Sequence, residues 1–184
     1  MRTLLDQVES SLGSGLYFLS LYTALTIPDI AGALRSDNGE ATGAKYAAWF
    51  EEWVRPRFFE AVLASVAEQH REHIKQLENP LTGDACYRFR CSLLHQGSSQ
   101  HPKSPFNRII FIEPGATTNV VHYGILNDAL CIDLNLFCRE MIAGARLWLE
   151  HAPQDVNYAK NYERFARRHP HGLAPYIGGV PVVG

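Results

Sequence analysis

Cysteine is scarce in this sequence: four among 184 residues, Cys86, Cys91, Cys131 and Cys138, with no CxxC pair. That excludes a disulfide framework and a cysteine-rich zinc site, both of which need more thiols at tighter spacing, and leaves buried, reduced thiols as the expectation. Long apolar runs are missing too, none reaching the ~18 residues that span a bilayer. The opening stretch MRTLLDQVESSLGS carries Asp6 and Glu9 where a signal peptide needs unbroken apolar sequence, so a soluble, cytoplasmic protein with no membrane association is expected. Charge of one sign is equally short. A formal net charge of −2 excludes binding nucleic acid by bulk electrostatics, so any such contact has to be local. There is no Walker loop, Rossmann glycine pattern, HExxH pair or internal repeat, and Ser98 and Ser99 lack a nucleophile elbow. No metal or cofactor is expected.

What is present is a foldable chain, 46% hydrophobic and 11% aromatic, of a length that suits one domain over residues 1–170 with an irregular Pro/Gly tail over 171–184. Its first half reads helical. Leu16, Leu19, Tyr22, Leu25, Ile30 and Leu34 keep a helical stripe, and Thr26 with Asp29 three residues on predicts a cap and a restart at Pro28. Residues 44–76 form a second helical block broken at Pro56, after which Phe59, Val62, Leu63, Val66, Ile74 and Leu77 fall on one stripe with His70 and His73. Histidines on such a face read as core or interface residues before metal ligands. NPLTGD then turns the chain, with Thr82 or Asp84 able to cap a helix that runs to about Gly97. The β-branched runs NRIIFIEP, TTNVVHYGIL and ALCIDL, bounded by Pro114-Gly115 and Asn127-Asp128, predict an antiparallel three-stranded meander over about 107–133. From Leu134 the period is helical again, with Phe137, Met141, Ala145 and Trp148 marking a core helix that stops before Pro153 and a last helix over Tyr158 to Arg168. The expected fold is mainly α, a helical bundle with a small β insertion.

The helix CYRFRCSLLHQGSSQ carries the one constellation suited to chemistry. Phe89, Leu93 and Leu94 do the ordinary work of a core helix, which leaves Arg90 and His95. Five steps of about 100° put their Cα atoms about 140° apart, yet a long arginine and a histidine in the last turn can reach one groove. Histidine exchanges a proton near neutral pH, and arginine offers a permanently charged fork for phosphate oxygens. A histidine in a last turn is also favoured by the helix dipole without any function. Cys91 and His95, four apart, have the relative placement of a thiolate pair but no third orienting group.

R-x4-H on a helix, followed by small polar residues, resembles the signature of the HEPN superfamily, many members of which are RNases, and the wider string LTGDACYRFRCSLLHQGSS is similar to the motif helix of uncharacterised bacterial proteins near that group. The resemblance implies a four- or five-helix bundle that pairs as a homodimer, both motif helices lining a cleft at the two-fold axis. By position, Arg90 and His95 would be the catalytic pair of a metal-independent endoribonuclease in a defence, stress or toxin system, with RNA and an antitoxin or other protein as partners. Active members commonly carry Asn or Asp straight after the arginine, where this chain has Cys91; Ser92 is the candidate supporting polar residue. Lys103, Arg108, Arg167 and Arg168 are candidate contacts to an RNA backbone. The alternative is a non-catalytic HEPN-like module for dimerisation or for binding a nucleotide or protein.

Overall fold

The computed structural model describes residues 1–184, the side chains of residues 61 and 65 excepted. Its core is a set of helices built around α7 (Leu134–His151), whose Phe137, Cys138, Met141, Ala145 and Trp148 recur at steps of one, three and four and are fully or almost fully buried. Against α7 pack α1 (Arg2–Gly13), which buries Leu5, Val8 and Leu12, together with α2 (Tyr17–Leu34) and α3 (Gly43–Trp53). Trp49 of α3 meets Trp148 edge to face at 6.0 Å. Side-chain caps start the central helices: Thr42 on α3, Thr82 on α6 (Gly83–Gln96) and Asp133 on α7 each accept from a backbone N–H three residues on. Caps of this kind are worth about 1 kcal/mol each. Gly97, at φ +64°, closes α6 in the left-handed conformation that any side chain would strain. The expected helix from Thr82 to Gly97 is thus present at both ends.

α2 departs from expectation in phase and continuity. Contrary to the expectation that no apolar stretch reaches ~18 residues, it is the one helix among the described residues long and apolar enough to cross a membrane, and half of it is buried in the bundle. Leu16 and Leu19 lie outside, 50% and 60% exposed. The inward side is carried by Leu21, Ala24, Leu25, Ile27 and Ala31, large and small residues together on a stripe that shares only Leu25 and, further on, Leu34 with the expected one. No restart occurs at Pro28: the helix runs through it, and the Thr26 hydroxyl donates to the Thr23 carbonyl rather than capping. Contacts from α1, α3, α6, α7 and α8 (Val156–Tyr162) hold the segment helical despite the missing proline donor.

The block after Pro56 is also different. It breaks into a 3-10 turn (Arg55–Arg57), α4 (Glu60–Ser65) and α5 (Glu68–Lys75), with Val66 extended between the two helices. Phe59, Val62, Leu63, Val66 and Ile74 are therefore only half-buried and Leu77 is exposed, because the break at Val66 takes the two short helices out of phase. His70 and His73 are exposed as well.

The three predicted strands exist but do not form a meander. β1 (Arg108–Ile112) pairs in parallel with β3 (Ala129–Asp133), and β2 (Gly124–Leu126) pairs antiparallel on the other side of β3. Only β3 is buried along nearly its whole length, so it takes the centre, and the hairpin through Asn127 and Asp128, both at positive φ, assigns β2 to one edge. The remaining edge goes to β1, which long residues 113–123 let run the same way as β3. Phe111 ties the sheet to the helices through Phe89 of α6 at 5.4 Å and Phe137 of α7 at 5.0 Å.

α8 (Val156–Tyr162) starts at an Asp155 cap and ends well short of the expected Arg168, in tight turns onto the Asn161 and Tyr162 carbonyls. Nor is the tail irregular. β4 (Arg168–His169) pairs with β7 (Val182–Val183), and β5 (Gly172–Leu173) with β6 (Ile177–Gly178), both antiparallel. Gly172 at φ +96° and Gly179 at φ +82° supply the reversals.

Candidate active site

α2 and α6 pack against each other, and the contact brings Asp29 to Arg90. Arg90 Nε lies 2.7 Å from Asp29 Oδ2, with both side chains less than a fifth exposed. The N–H is not aimed at the oxygen, so the contact is charge to charge rather than an aligned hydrogen bond. Arg90 Nη1 donates to His95 Nε2 at 3.0 Å. Arginine has no acceptor, so in this arrangement the imidazole is neutral with its proton on Nδ1. The 140° between the two Cα positions is closed by the length of the arginine. His95 itself is exposed at the open end of α6.

The electrostatics follow from this half-buried setting. Burial pushes the Asp29 carboxyl above the ordinary carboxylate range, against the pull of the Arg90 charge and, more weakly, of His95. For Arg90, burial works against the cation, but Asp29 and the Cys91 sulfur outweigh it and the group stays firmly charged. Cys91 Sγ sits 4.0 Å from Arg90 Nη1, and its interaction with Tyr87 raises the Tyr87 hydroxyl. The site is thus a chain of Asp29, Arg90 and His95 running from the α2–α6 seam to solvent, with Cys91 and Tyr87 alongside. Chemically it offers an imidazole lone pair at Nε2 and a guanidinium whose Nη2 has no hydrogen bond among the described residues.

The other expected residues are placed less centrally. Ser92 is 1% exposed, with its hydroxyl lacking a hydrogen-bond partner, and lies on the inward flank of α6, away from Arg90. Lys103 is exposed in the loop after α6, where its carbonyl accepts from Arg88 Nη1. Arg108 is exposed at the start of β1, lining an apolar groove of about 370 Å³ with Phe18, Phe89 and Leu93. Arg167 and Arg168 stand at a different cavity, beside α8 and the start of α1. All four cysteines are free, three buried and Cys91 half-buried; burial pushes the Cys86 and Cys138 thiols up to about 12, which keeps them unreactive.

Asp29 was not singled out for the site by sequence, although it carries a signal: it is the only charged residue in the 18 residues of α2. A second polar cluster is also new. His122 Nε2 lies 2.9 Å from Glu140 Oε1, and the Tyr123 hydroxyl donates to Glu140 Oε2 at 2.7 Å, with the His122 and Glu140 side chains 1% and 6% exposed. Burial pushes the Glu140 carboxyl up, opposed by His122 and Tyr123. This cluster fastens the segment before β2 onto α7.

No family model matches the chain, and no curated protein or solved structure is significantly similar to it.

Proposed function

We propose that the chain is a HEPN-like, metal-independent endoribonuclease that acts as a homodimer in a defence, stress or toxin system. The observation that carries this reading is the 3.0 Å contact between Arg90 and His95 at the solvent end of α6, with Arg90 tethered to Asp29. RNA cleavage without a metal has three demands: removing the 2′-OH proton, stabilising the phosphorane charge and protonating the leaving 5′ oxygen. When a scissile phosphate draws the Arg90 guanidinium onto its oxygens, His95 Nε2 is freed to take the 2′-OH proton. The 2′ oxygen then attacks phosphorus, the P–O5′ bond breaks, and a cyclic 2′,3′-phosphate and a 5′-OH result. The His95 of a second copy, protonated, supplies the leaving group's proton. Phe18 and Leu19, 76% and 60% exposed on α2, and Ile110 on β1 offer apolar surface for that second copy.

The direct assay is cleavage of structured RNA in EDTA. His95→Ala and Arg90→Ala are expected to lower the rate about 10²- to 10⁴-fold; a His95→Ala protein that cuts as well as the wild type removes the role. The second reading is a HEPN-like module that pairs or binds a nucleotide or protein partner without cutting, favoured by Cys91 in the slot after the arginine and by Arg90 already holding an anion in Asp29. It stands if Arg90→Ala weakens the dimer while no RNA is cut by any form.

A further inference from the structure

Six arginines in this fold are spoken for. Arg35, Arg55, Arg57, Arg88, Arg90 and Arg146 each pair with a carboxylate. Arg2, Arg167 and Arg168 have no ion pair among the described residues, and these three line one cavity of about 620 Å³ between the start of α1 and the end of α8. No Asp or Glu lines it. Three uncompensated guanidinium groups around a concavity make a strongly positive site, in a chain whose overall charge is slightly negative.

The cavity also has an aromatic wall. Tyr158 and Tyr162 stack at 5.3 Å with 20° between ring planes, and Tyr162 and Phe165 at 5.5 Å with 11°, so three rings stand nearly parallel. Arg167 lies over the Tyr162 ring at 5.9 Å. The charge of Arg2 acts on the Tyr158 hydroxyl, pulling it down against burial and Tyr162, which push it up. The arginines are held from behind: Arg167 exchanges two backbone hydrogen bonds with Gly184, and Arg168 pairs with Val183. Cation and ring are therefore fixed relative to each other before any ligand arrives.

Arginine forks suit phosphate oxygens, and parallel aromatic rings suit the face of a nucleobase. The volume is in the ordinary range for a small-molecule site. A bare anion would leave the rings unused, and an apolar ligand would leave three cations unpaired. We propose that this cavity is a second binding site that takes a nucleoside phosphate, its base against the Tyr158, Tyr162 and Phe165 wall and its phosphate on Arg2, Arg167 and Arg168. The phosphate comes either from a free nucleotide or from one unit of single-stranded RNA. The site extends the proposed RNase reading but stands whether or not Arg90 and His95 cut RNA.

The test uses the full chain and two probes: ATP followed by calorimetry, and a 5′-labelled single-stranded RNA 12-mer followed by fluorescence anisotropy. The wild type is expected to bind at least one of them. Arg167→Ala/Arg168→Ala is expected to weaken that binding ~10-fold or more and to reduce the log-log salt slope for RNA by about 2. Tyr162→Leu is expected to weaken it ~5-fold or more; because Tyr162 also packs on the core, Arg2→Ala/Arg168→Ala, with an unchanged melting temperature, serves as the independent surface variant. His95→Ala should bind both probes like the wild type, which separates this site from the proposed cleavage site. Tighter binding of the 12-mer identifies an RNA strand as the source, and tighter binding of ATP a free nucleotide. Absence of binding by the wild type, binding indifferent to both arginine pairs, or displacement by inorganic phosphate as effective as by ATP would each overturn the proposal.

Discussion

Asp29 is the single charge on α2, and its partner lies 61 positions further along the chain, on α6. Its part in the proposed chemistry is to orient Arg90, so Asp29→Asn should keep the fold while lowering RNA cleavage about 10- to 100-fold. The pH profile distinguishes this from a general loss of structure. With its carboxyl raised above the ordinary range, Asp29 holds Arg90 by charge only above that raised value, and the hold is lost as pH falls through it. Wild-type cleavage should therefore fall more steeply on the acid side than that of Asp29→Asn; acid limbs of equal steepness in the two would assign the whole fall to another group. Arg90 and His95 were legible from sequence because residue type and a spacing of five on one helix are local facts. Asp29 was read as part of a cap, since nothing local links it to α6. Ser92, close to Arg90 in sequence, instead faces the core side of α6 with its hydroxyl unpartnered, because two residues turn a helix through about 200°.

At the level of elements, the close approach of α3 and α6 depends on Gly83, where a Cβ would run into the Ala47 backbone. Gly83→Ala is expected to cost about 2–4 kcal/mol, read as a fall in melting temperature, because backbone cannot give way as a flexible side chain can. The His122–Glu140–Tyr123 cluster makes a separate prediction. Since Glu140 binds its proton more tightly in the folded protein than in the unfolded chain, its own contribution to stability is fully present below the ordinary carboxyl value and is lost as pH rises through the raised one. Glu140→Gln removes that titration and should remove the part of the fall in melting temperature that sets in above the ordinary carboxyl value, whereas Glu140→Leu, leaving the Tyr123 hydroxyl and His122 ring unpaired, should cost about 2–4 kcal/mol. What sequence revealed at this scale were the locally determined parts: the Thr82 cap, the Gly97 stop, the core side of α7 and the turn at Asn127-Asp128. Strand order was hidden, because three strands with the same composition pair equally well on paper and only burial of β3 decides the centre. The phase of α2 was hidden because apolar residues stand on nearly every side of it, so more than one stripe fits the sequence.

Over the whole molecule, the proposed site needs a second copy, and the exposed apolar residues of α2 give it a surface to use. Phe18→Asp/Leu19→Asp should shift the protein from dimer to monomer in sedimentation and remove RNA cleavage together, with the monomer still folded; a dimer that survives the pair would place the interface elsewhere. The order of elements has a further consequence. α7, the helix on which α1, α2 and α3 all rest, lies beyond the β insertion from all three, and Arg146 on it pairs with Asp6 and Glu9 at distances of 3.1 and 2.7 Å. α1, α2 and α3 can cover part of one another's apolar sides on their own, but the seat that α7 gives all three closes only across the long intervening stretch of chain, so the core is completed by contacts far apart in sequence. Folding should therefore be slower than in a bundle of the same size whose helices meet only their neighbours in sequence.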